Sequence, residues 1–279
     1  MSIRIFILTL LSLLAFAGNS FLSRLALKGQ GMDAASFACI RMVSGALTLW
    51  LLTQLLSRNG KPGGNWTSAI WLLIYALPFT FAYVTLPAAS GTLLSFGMVQ
   101  LTMIGAGLWR GERLSSRQWC GLALAIGGIL ALLLPSASTP PLRPSIMIMV
   151  AGLGWGVYSL RGRSSSDPLR DTAGNFLRAA PLCLVCCLPF LSGVKWEPHG
   201  AVYAVLCGVV TSALGYVIWY QALQKLSATV AATVQLSVPI IAAMLAVAFL
   251  GEPLTMRFML TSITVLGGIA LVIDGRKKA

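Results

Sequence analysis

The chain has 279 residues, of which 57% are hydrophobic and only 10% are charged, and its mean hydropathy is +0.84. A soluble domain carries roughly 25% charged residues, so this composition excludes an ordinary soluble protein and favours one that crosses a membrane several times. The net charge of +13 does not indicate a nucleic-acid partner, because no long polar stretch remains that could form a nucleic-acid-binding domain.

Apolar runs of about 20 residues, separated by charges, prolines and glycine clusters, predict ten membrane-spanning helices. In chain order the predicted spans are 5–24, 34–57, 67–85, 88–109, 117–134, 144–161, 172–192, 200–223, 228–250 and 257–274. The first run has the basic start of a signal peptide, but its apolar character continues to Leu27, so we interpret it as a transmembrane helix. The alternating pattern of barrel strands is absent, which predicts an all-α integral membrane protein.

The distribution of basic residues predicts the orientation of these spans. With the N-terminus in the cytoplasm, thirteen of the 20 Lys and Arg residues fall on the cytoplasmic side and five on the far side. The remaining two, Arg41 and Arg178, lie inside spans. Because basic residues favour cytoplasmic loops, we expect a multi-pass protein of the cytoplasmic (inner) membrane with both termini in the cytoplasm. We expect a monomer or weak dimer in contact with membrane lipids.

The last segments of the two halves of the chain have similar sequences. GERLSSRQWCGLALAIGGILALLL begins at Gly111, GEPLTMRFMLTSITVLGGIALVID begins at Gly251, and seven of their 24 aligned positions are identical. Each half has five predicted spans, an odd number, so the second half enters the membrane from the opposite side. We therefore expect two five-helix repeats, 1–137 and 138–279, in inverted topology around a central cavity, as in many secondary transporters.

Each similar segment begins with a turn that we interpret as structural. The opening glycine, Gly111 or Gly251, is suited to end a helix in a left-handed conformation. Ser115 is suited to cap the next helix. The acidic residue, Glu112 or Glu252, is then expected near the N-terminus of that next helix, where negative charge is favoured.

The two G-E-x-L-[ST] turns, the Gly-Gly-Ile helices after them and the Arg in spans two and seven resemble the drug/metabolite transporter superfamily, in particular its ten-span EamA-type members. The resemblance covers the whole chain. It implies two five-helix halves around a central cavity that exports or imports small metabolites, often amino acids. The first span departs from the pattern, since it has F-A-G-N at Phe16–Asn19 where many relatives have a W-G stretch, whereas the sixth span carries Trp155-Gly156.

The two arginines inside spans are candidate substrate-binding residues. A charge in the apolar core costs on the order of 2.5–3.5 kcal/mol, and Arg41 and Arg178 each lie about two turns into a predicted helix. Either side chain can extend to the headgroups or bond backbone carbonyls, or it can contact a substrate or form a gate. Because the guanidinium matches a carboxylate, an anionic or zwitterionic substrate would explain the second role.

Polar and aromatic side chains inside spans complete the predicted site. Buried amides must find partners, so they face other helices or a wet cavity; interhelical bonding and aromatic packing are the alternative roles. The predicted substrate-binding residues are Asn19, Arg41, Tyr83, Gln100, Trp155, Tyr158, Arg178, Trp219 and Gln235. Trp155 and Tyr158 share one face of the sixth predicted helix. We expect this face to form a wall of the central cavity.

Acidic and histidine side chains are absent from the middle of the predicted spans, which limits the possible transport mechanisms. None of the seven acids lies in mid-span and the single histidine, His199, lies in a loop, so we expect facilitated diffusion or exchange instead of proton coupling. The six cysteines lie in apolar segments and are interpreted as small hydrophobic side chains, so we expect no metal, cofactor or catalytic set.

The sequence therefore predicts a secondary transporter, an exporter or exchanger of amino acids or similar metabolites that works by alternating access and is not an enzyme. The alternative is an intramembrane enzyme or flippase that acts on lipid-linked substrates.

Overall fold

The computed structural model describes residues 3–56, 61–111, 113–135, 139–226 and 228–275, which are mostly α-helical. The first half contains α1 (Ile3–Leu27), α2 (Ala34–Leu56), α3 (Trp66–Ala82), α4 (Ala88–Trp109) and α5 (Ser116–Leu133). The second half contains α6 (Leu142–Gly162), α7 (Pro168–Cys187), α8 (Pro198–Leu206), α9 (Gly215–Leu223), α10 (Ala228–Gln235), α11 (Ser237–Leu250) and α12 (Met256–Gly275). These described residues contain no strand, so the all-α prediction is confirmed for them.

Eight helical segments in the described ranges are long and apolar enough to cross a membrane. Their outer faces expose large apolar side chains such as Leu55, Met244 and Ile263, which lipid tails can cover. Trp109 and Trp196 are exposed at or near helix ends, where indole rings favour the membrane–water interface. The chain is thus a multi-pass membrane protein.

Two of the long helical paths are irregular. Between α8 and α9, the segment Cys207–Leu214 is π-helical, and the whole path runs over Pro198–Leu223. Between α10 and α11, the helix is interrupted at Leu236. Pro239 explains this interruption, because it has no N–H to donate to the carbonyl of Gln235 and its ring clashes with that carbonyl.

Helices of the first half pack mainly against helices of the second half. α2 lies along α7, α3 along α6, α4 along α6 and α11, and α5 along α12. α1 packs on α9 and α11 and on the π-helical segment. Their shared core is rich in alanine and aromatic side chains, including Phe16, Tyr75, Trp155 and Tyr216.

The similar Gly-Gly-Ile segments pack on each other through α5 and α12. A Cβ atom added to Gly268 would lie 2.5 Å from the carbonyl oxygen of Gly121, and one added to Gly128 would also clash with α12. By contrast, an added Cβ on Gly127 or Gly267 would have no atom within 4 Å. One glycine of each pair therefore allows the two backbones to approach closely.

The turns that open the similar segments have the predicted caps. Gly111 and Gly251 have φ values of 87° and 61°, in the left-handed region, and Gly251 ends α11. Ser115 and Gln118 form a capping box at the start of α5. These local features follow from residue type and spacing alone.

Glu252 corrects the expectation that this acid lies at the start of the following helix. Thr255 caps that helix, α12, by accepting the N–H of Phe258 at 3.1 Å. Glu252 instead accepts the N–H of Ala88 at the start of α4 at 2.8 Å and pairs with Arg24 at 2.7 Å. The negative charge therefore stabilises the N-terminus of a different helix. The corresponding expectation for Glu112 falls outside the described residues.

Candidate functional site

The guanidinium of Arg41 lies buried inside the helical bundle. Arg41 is 1% exposed, and its Nη2 donates to the hydroxyls of Tyr75 and Tyr216 at 3.2 Å each. Its Nε donates to the hydroxyl of Ser212 at 3.0 Å. Within the described part of the chain, Nη1 has no hydrogen-bond partner and no carboxylate pairs with the guanidinium. The charge is therefore held by neutral hydroxyls, and one of its nitrogens remains unused.

Aromatic rings surround this cation. The Cζ atom of Arg41 lies 5.4 Å from the ring centroid of Tyr75 and 5.2 Å from that of Phe79, which is within the range of cation–π attraction. The ring centroid of Trp155 lies 5.2 Å from that of Tyr75 and 4.5 Å from that of Tyr216. The electron-rich ring faces partly offset the cost of burying the charge.

Asn19 fixes the orientation of the tyrosine hydroxyls. Its Nδ2 donates to the hydroxyl of Tyr75 at 2.8 Å and lies 3.4 Å from that of Tyr216. Its Oδ1 accepts from the thiol of Cys207 at 2.8 Å. The resulting network connects α1, α2, α3 and the long Pro198–Leu223 path, so the position of Arg41 depends on both halves of the chain.

The π-helical segment brings Ser212 and Tyr216 to the arginine. A π turn takes one more residue per turn than an α-helix and changes the direction of the side chains that follow. Gly208 lets this segment approach α2 backbone to backbone, because a Cβ there would lie 2.3 Å from the carbonyl oxygen of Arg41. The local helix geometry thus positions two of the groups that hold the guanidinium.

Two cavities follow one another along α4, α6 and α9. The smaller, of about 10 Å³, is lined by residues of the Arg41 network and by Ser95, Phe96 and Trp155. The larger, of about 130 Å³, is lined one to two turns farther along the same helices, by Gln100, Ser159 and Trp219 among others. The larger cavity therefore lies toward the end of the bundle where α4 finishes.

Several buried polar atoms beside these cavities have no hydrogen-bond partner among the described residues. They are Nε1 of Trp219 and Oε1 of Gln235 in the larger cavity, and Nε1 of Trp155 in the smaller. An unpaired buried polar group costs about 1–3 kcal/mol. Such a set of unpaired donors and acceptors along a cavity is suited to contact a polar ligand.

Basic residues line the outer end of the larger cavity. Arg110 follows α4 and Arg163 follows α6, and both contribute to the lining. Neither the larger nor the smaller cavity is lined by an Asp, Glu or His among the described residues. The arrangement can therefore attract and bind an anionic group, and it presents no carboxylate or imidazole for acid–base chemistry.

The other end of α4 is tied to two further helices. Arg24, on α1, pairs with Glu252, which follows α11, and also donates to the carbonyl of Val84 at 2.9 Å. Lys28 donates to the carbonyl of Leu250 at 2.7 Å. With the bond from Ala88 to Glu252, these contacts join the ends of α1, α4 and α11 at the face opposite the larger cavity.

Six of the nine predicted substrate-binding residues belong to this region. Asn19 and Trp155 line the smaller cavity, and Arg41 bonds two tyrosines that line it. The three residues lining the larger cavity are Gln100, Trp219 and Gln235.

The other three predicted residues line neither cavity. The hydroxyl of Tyr83 is hydrogen-bonded to that of Thr92 at 3.2 Å. The hydroxyl of Tyr158 accepts from Asn175 at 3.3 Å. Arg178 donates to backbone carbonyls at 2.7 and 2.8 Å. Bonding to carbonyls is the structural role that the sequence analysis gave as the alternative to substrate binding.

Sequence reasoning missed Tyr75, Phe79 and Ser212 as neighbours of Arg41. Tyr75 offered a signal, because a phenol in the middle of an apolar span needs a partner for its hydroxyl. Ser212 offered none, since a serine can bond a carbonyl of its own helix, and its reach to Arg41 depends on the π-helical segment.

The sequence profile of the EamA-like transporter family matches residues 3–134 and 142–274. A Pseudomonas aeruginosa protein described as uncharacterized is 48% identical over 274 residues, which cover 98% of this chain and 96% of the relative. The uncharacterized transporter YwfM of Bacillus subtilis is 23% identical over 261 residues, which cover 90% of this chain and 85% of the relative. These matches extend over both halves.

Two further similarities concern part of the chain and the fold. The probable 4-amino-4-deoxy-L-arabinose-phosphoundecaprenol flippase subunit ArnE of Escherichia coli O81 is 32% identical over 115 residues, covering 40% of this chain and 90% of the relative. A protein crystal structure is similar with a TM-score of 0.63 at 17% identity, covering 94% of this chain and 96% of that one. The latter shows a shared fold.

Proposed function

Because this chain belongs to the EamA-like transporter family, we propose that it is a secondary transporter that moves small metabolites such as amino acids across the cytoplasmic membrane by alternating access. The observation that carries the proposal is the buried guanidinium of Arg41, which has no carboxylate partner in the described chain and keeps Nη1 unused. A substrate carboxylate is the complement to such a group.

The proposed architecture is ten spans in two inverted repeats, 1–137 and 138–279. The pairing of helices supports it, because contacts between the halves are reciprocal. The first helix of each proposed half packs on the third span of the other: α1 on the Pro198–Leu223 path, and α6 on α3. The second helices, α2 and α7, pack together, as do the fourth, α4 and α11, and the fifth, α5 and α12. A twofold relation between repeats produces such reciprocity.

The proposed substrate has a carboxylate and an apolar or aromatic part. The carboxylate bonds Nη1 of Arg41, and the rings of Trp155 and Phe16, whose centroids lie 5.4 Å apart, cover the apolar part. The amide of Gln235 and the indole N–H of Trp219 bond further polar groups from the larger cavity. Aromatic walls with a few fixed polar groups are typical of small-molecule sites.

The proposed transport path runs from the cavity end with Arg110 and Arg163 to the Arg24–Glu252 end. The excess of basic residues supports a cytoplasmic location for the first end, and we propose that the substrate enters from inside and leaves outside, or is exchanged. Because neither cavity has a titratable acid or histidine among its described lining residues, exchange or facilitated diffusion is proposed over proton coupling.

Counterflow in proteoliposomes tests this function. Vesicles loaded with unlabelled amino acids and small carboxylates should accumulate the radiolabelled form of one of them. Arg41→Gln should abolish this accumulation while leaving the thermal unfolding temperature close to that of the wild type, whereas Arg113→Gln, at an exposed position, should transport normally. If only substrates without a carboxylate are transported, or if Arg41→Gln transports at the wild-type rate, the proposed site is wrong.

The similarity to ArnE supports a second candidate, a flippase for lipid-linked substrates, although it covers 40% of the chain. The same vesicles separate the two functions. Loss of a fluorescent polyprenyl-phosphate sugar from the outer leaflet, without counterflow of any small metabolite, would favour the flippase.

A further inference from the structure

Three thiols from two helices meet outside the proposed transport path. The Sγ atoms of Cys39 on α2 and of Cys183 and Cys187 on α7 all lie within 4.8 Å of one another. Cys183 and Cys187 are four residues apart and so face the same side of α7. All three are free of disulfides. Their convergence depends on the packing of α2 along α7 and cannot be read from cysteine spacing in the sequence.

The neighbouring cysteine shows that this grouping is selective. Cys186 gives α7 a C-x-x-C spacing with Cys183, yet Cys186 is exposed on the outer face of the helix, whereas Cys183 is 0% and Cys187 4% exposed. Cys39 is half-buried, which leaves one side of the cluster open to an entering ligand. The cluster therefore has the composition and access of a binding site.

The spacing suits a three-coordinate soft ion. Bonds to sulfur of about 2.3 Å place the three sulfur atoms about 4 Å apart around a planar centre and somewhat closer around a pyramidal one, so separations of up to 4.8 Å need side-chain movements on the order of 1 Å. Thiolates select soft ions over hard ones. Oxygen-preferring cations such as Mg²⁺ and Ca²⁺ are therefore excluded by the ligand type.

The apolar surroundings select among soft ions by net charge. Three thiolates around Cu⁺ would leave two negative charges, and around a divalent ion one, and burying an unpaired charge among apolar helices is costly. A trivalent ion leaves none. Arsenous acid, As(OH)₃, is itself neutral and can reach the cluster without carrying charge through lipid or apolar side chains.

We propose that Cys39, Cys183 and Cys187 form a binding site for trivalent arsenic or a similar trivalent thiophilic element. Three S–H and three As–O bonds break, three As–S and three O–H bonds form, and three waters leave with no change in oxidation state. The product is neutral and joins α2 to α7. Because Arg41 is two residues from Cys39 on α2, this link also restrains the helix that carries the proposed substrate site.

Mass spectrometry of the purified protein tests the site directly. The protein, kept reduced with a phosphine because dithiols compete for arsenic, is incubated with sodium arsenite. The intact mass should increase by one arsenic atom less three hydrogen atoms, and ultraviolet absorption from As–S bonds should appear. The thermal unfolding temperature should increase, because the ligand binds only the folded state.

Matched variants assign the three ligands. Cys39→Ala, Cys183→Ala and Cys187→Ala should each lose the three-coordinate product, whereas Cys186→Ala should bind as the wild type does. The half-buried position of Cys39 makes its variant the one that should fold unchanged, as checked by its unfolding temperature without arsenite. Absence of the arsenic adduct in the wild type, its persistence in Cys39→Ala, or its loss in Cys186→Ala would each overturn the proposal.

Discussion

Two buried glutamines, of nearly equal exposure, differ in their hydrogen bonding. Gln118 is 3% exposed and bonds both Ser115 and the carbonyl of Val272. Gln235 is 2% exposed, and its Oε1 has no partner among the described residues although the residue lines the larger cavity. An acceptor that is unpaired in the folded chain costs stability and is available to a ligand.

Gln235→Leu should therefore weaken substrate affinity by about tenfold, the effect of losing one good hydrogen bond, without lowering the thermal unfolding temperature. Gln118→Leu should do the reverse, lowering that temperature and leaving affinity unchanged. Counterflow at varied substrate concentration and unfolding in detergent measure the two effects. Equal loss of stability in both variants would remove Gln235 from the site.

Arg41 and Arg178 show what a sequence can and cannot establish about single residues. Both occupy similar places in their helices, and residue type alone makes both of them candidate substrate-binding residues. Arg178 reaches the carbonyls of Gly63 and Gly174, because the segment before α3 lies beside α7. Among the described residues, the hydrogen-bond acceptors of the Arg41 side chain are hydroxyls. The two arginines therefore differ in their tertiary contacts, which the local sequence around each of them does not indicate.

At the scale of helices, the closest contact between the repeated segments depends on one glycine of each pair. Gly268→Ala would place its Cβ 2.5 Å from the carbonyl of Gly121, so α5 and α12 must separate. Gly267→Ala meets no atom within 4 Å and gains helix propensity. We expect a clear fall in unfolding temperature for Gly268→Ala and none for Gly267→Ala. A similar fall in both would show that the close contact at Gly268 is not what distinguishes the two positions.

Helix positions were largely predictable, whereas helix irregularities were only partly so. Apolar length and flanking charges place α4 at Ala88–Trp109, matching the predicted span. The ninth predicted span is divided into α10 and α11 at Leu236, where Pro239 removes an i→i−4 hydrogen bond. The π-helical Cys207–Leu214 segment contains no proline and follows from contacts with α2 through Gly208. The sequence therefore predicts the helices that carry the candidate site, but it does not predict the π-helical segment that completes the site.

At the scale of the whole molecule, the Arg24–Glu252 pair closes the face opposite the larger cavity. Glu252 is 8% exposed, and it joins the ends of α1, α4 and α11. Alternating access requires such a set of contacts to break in the other state. In the proposed alternating-access cycle, the strength of this pair would help to set the balance between states.

Glu252→Gln should remove the ion pair and lower stability by about 1–3 kcal/mol, the effect of losing a hydrogen bond to a charged partner. It should also shift the population toward the state open at that face. Unfolding temperature and the labelling rate of a cysteine introduced at the nearby half-buried position by Ser90→Cys measure both effects, with Arg113→Gln, at an exposed position, as the control. An unchanged labelling rate would make the pair a static contact.

The unpaired guanidinium of Arg41 also has an electrical consequence. A monocarboxylate bound to it makes the loaded site neutral, whereas the empty site carries one positive charge. Moving one elementary charge through a membrane potential involves about 2.3 kcal/mol per 100 mV. In a carrier of this kind, the membrane potential does little work on the step in which the loaded protein moves its substrate across the membrane. It acts instead on the return of the empty protein, a step that belongs to facilitated diffusion and is absent from exchange.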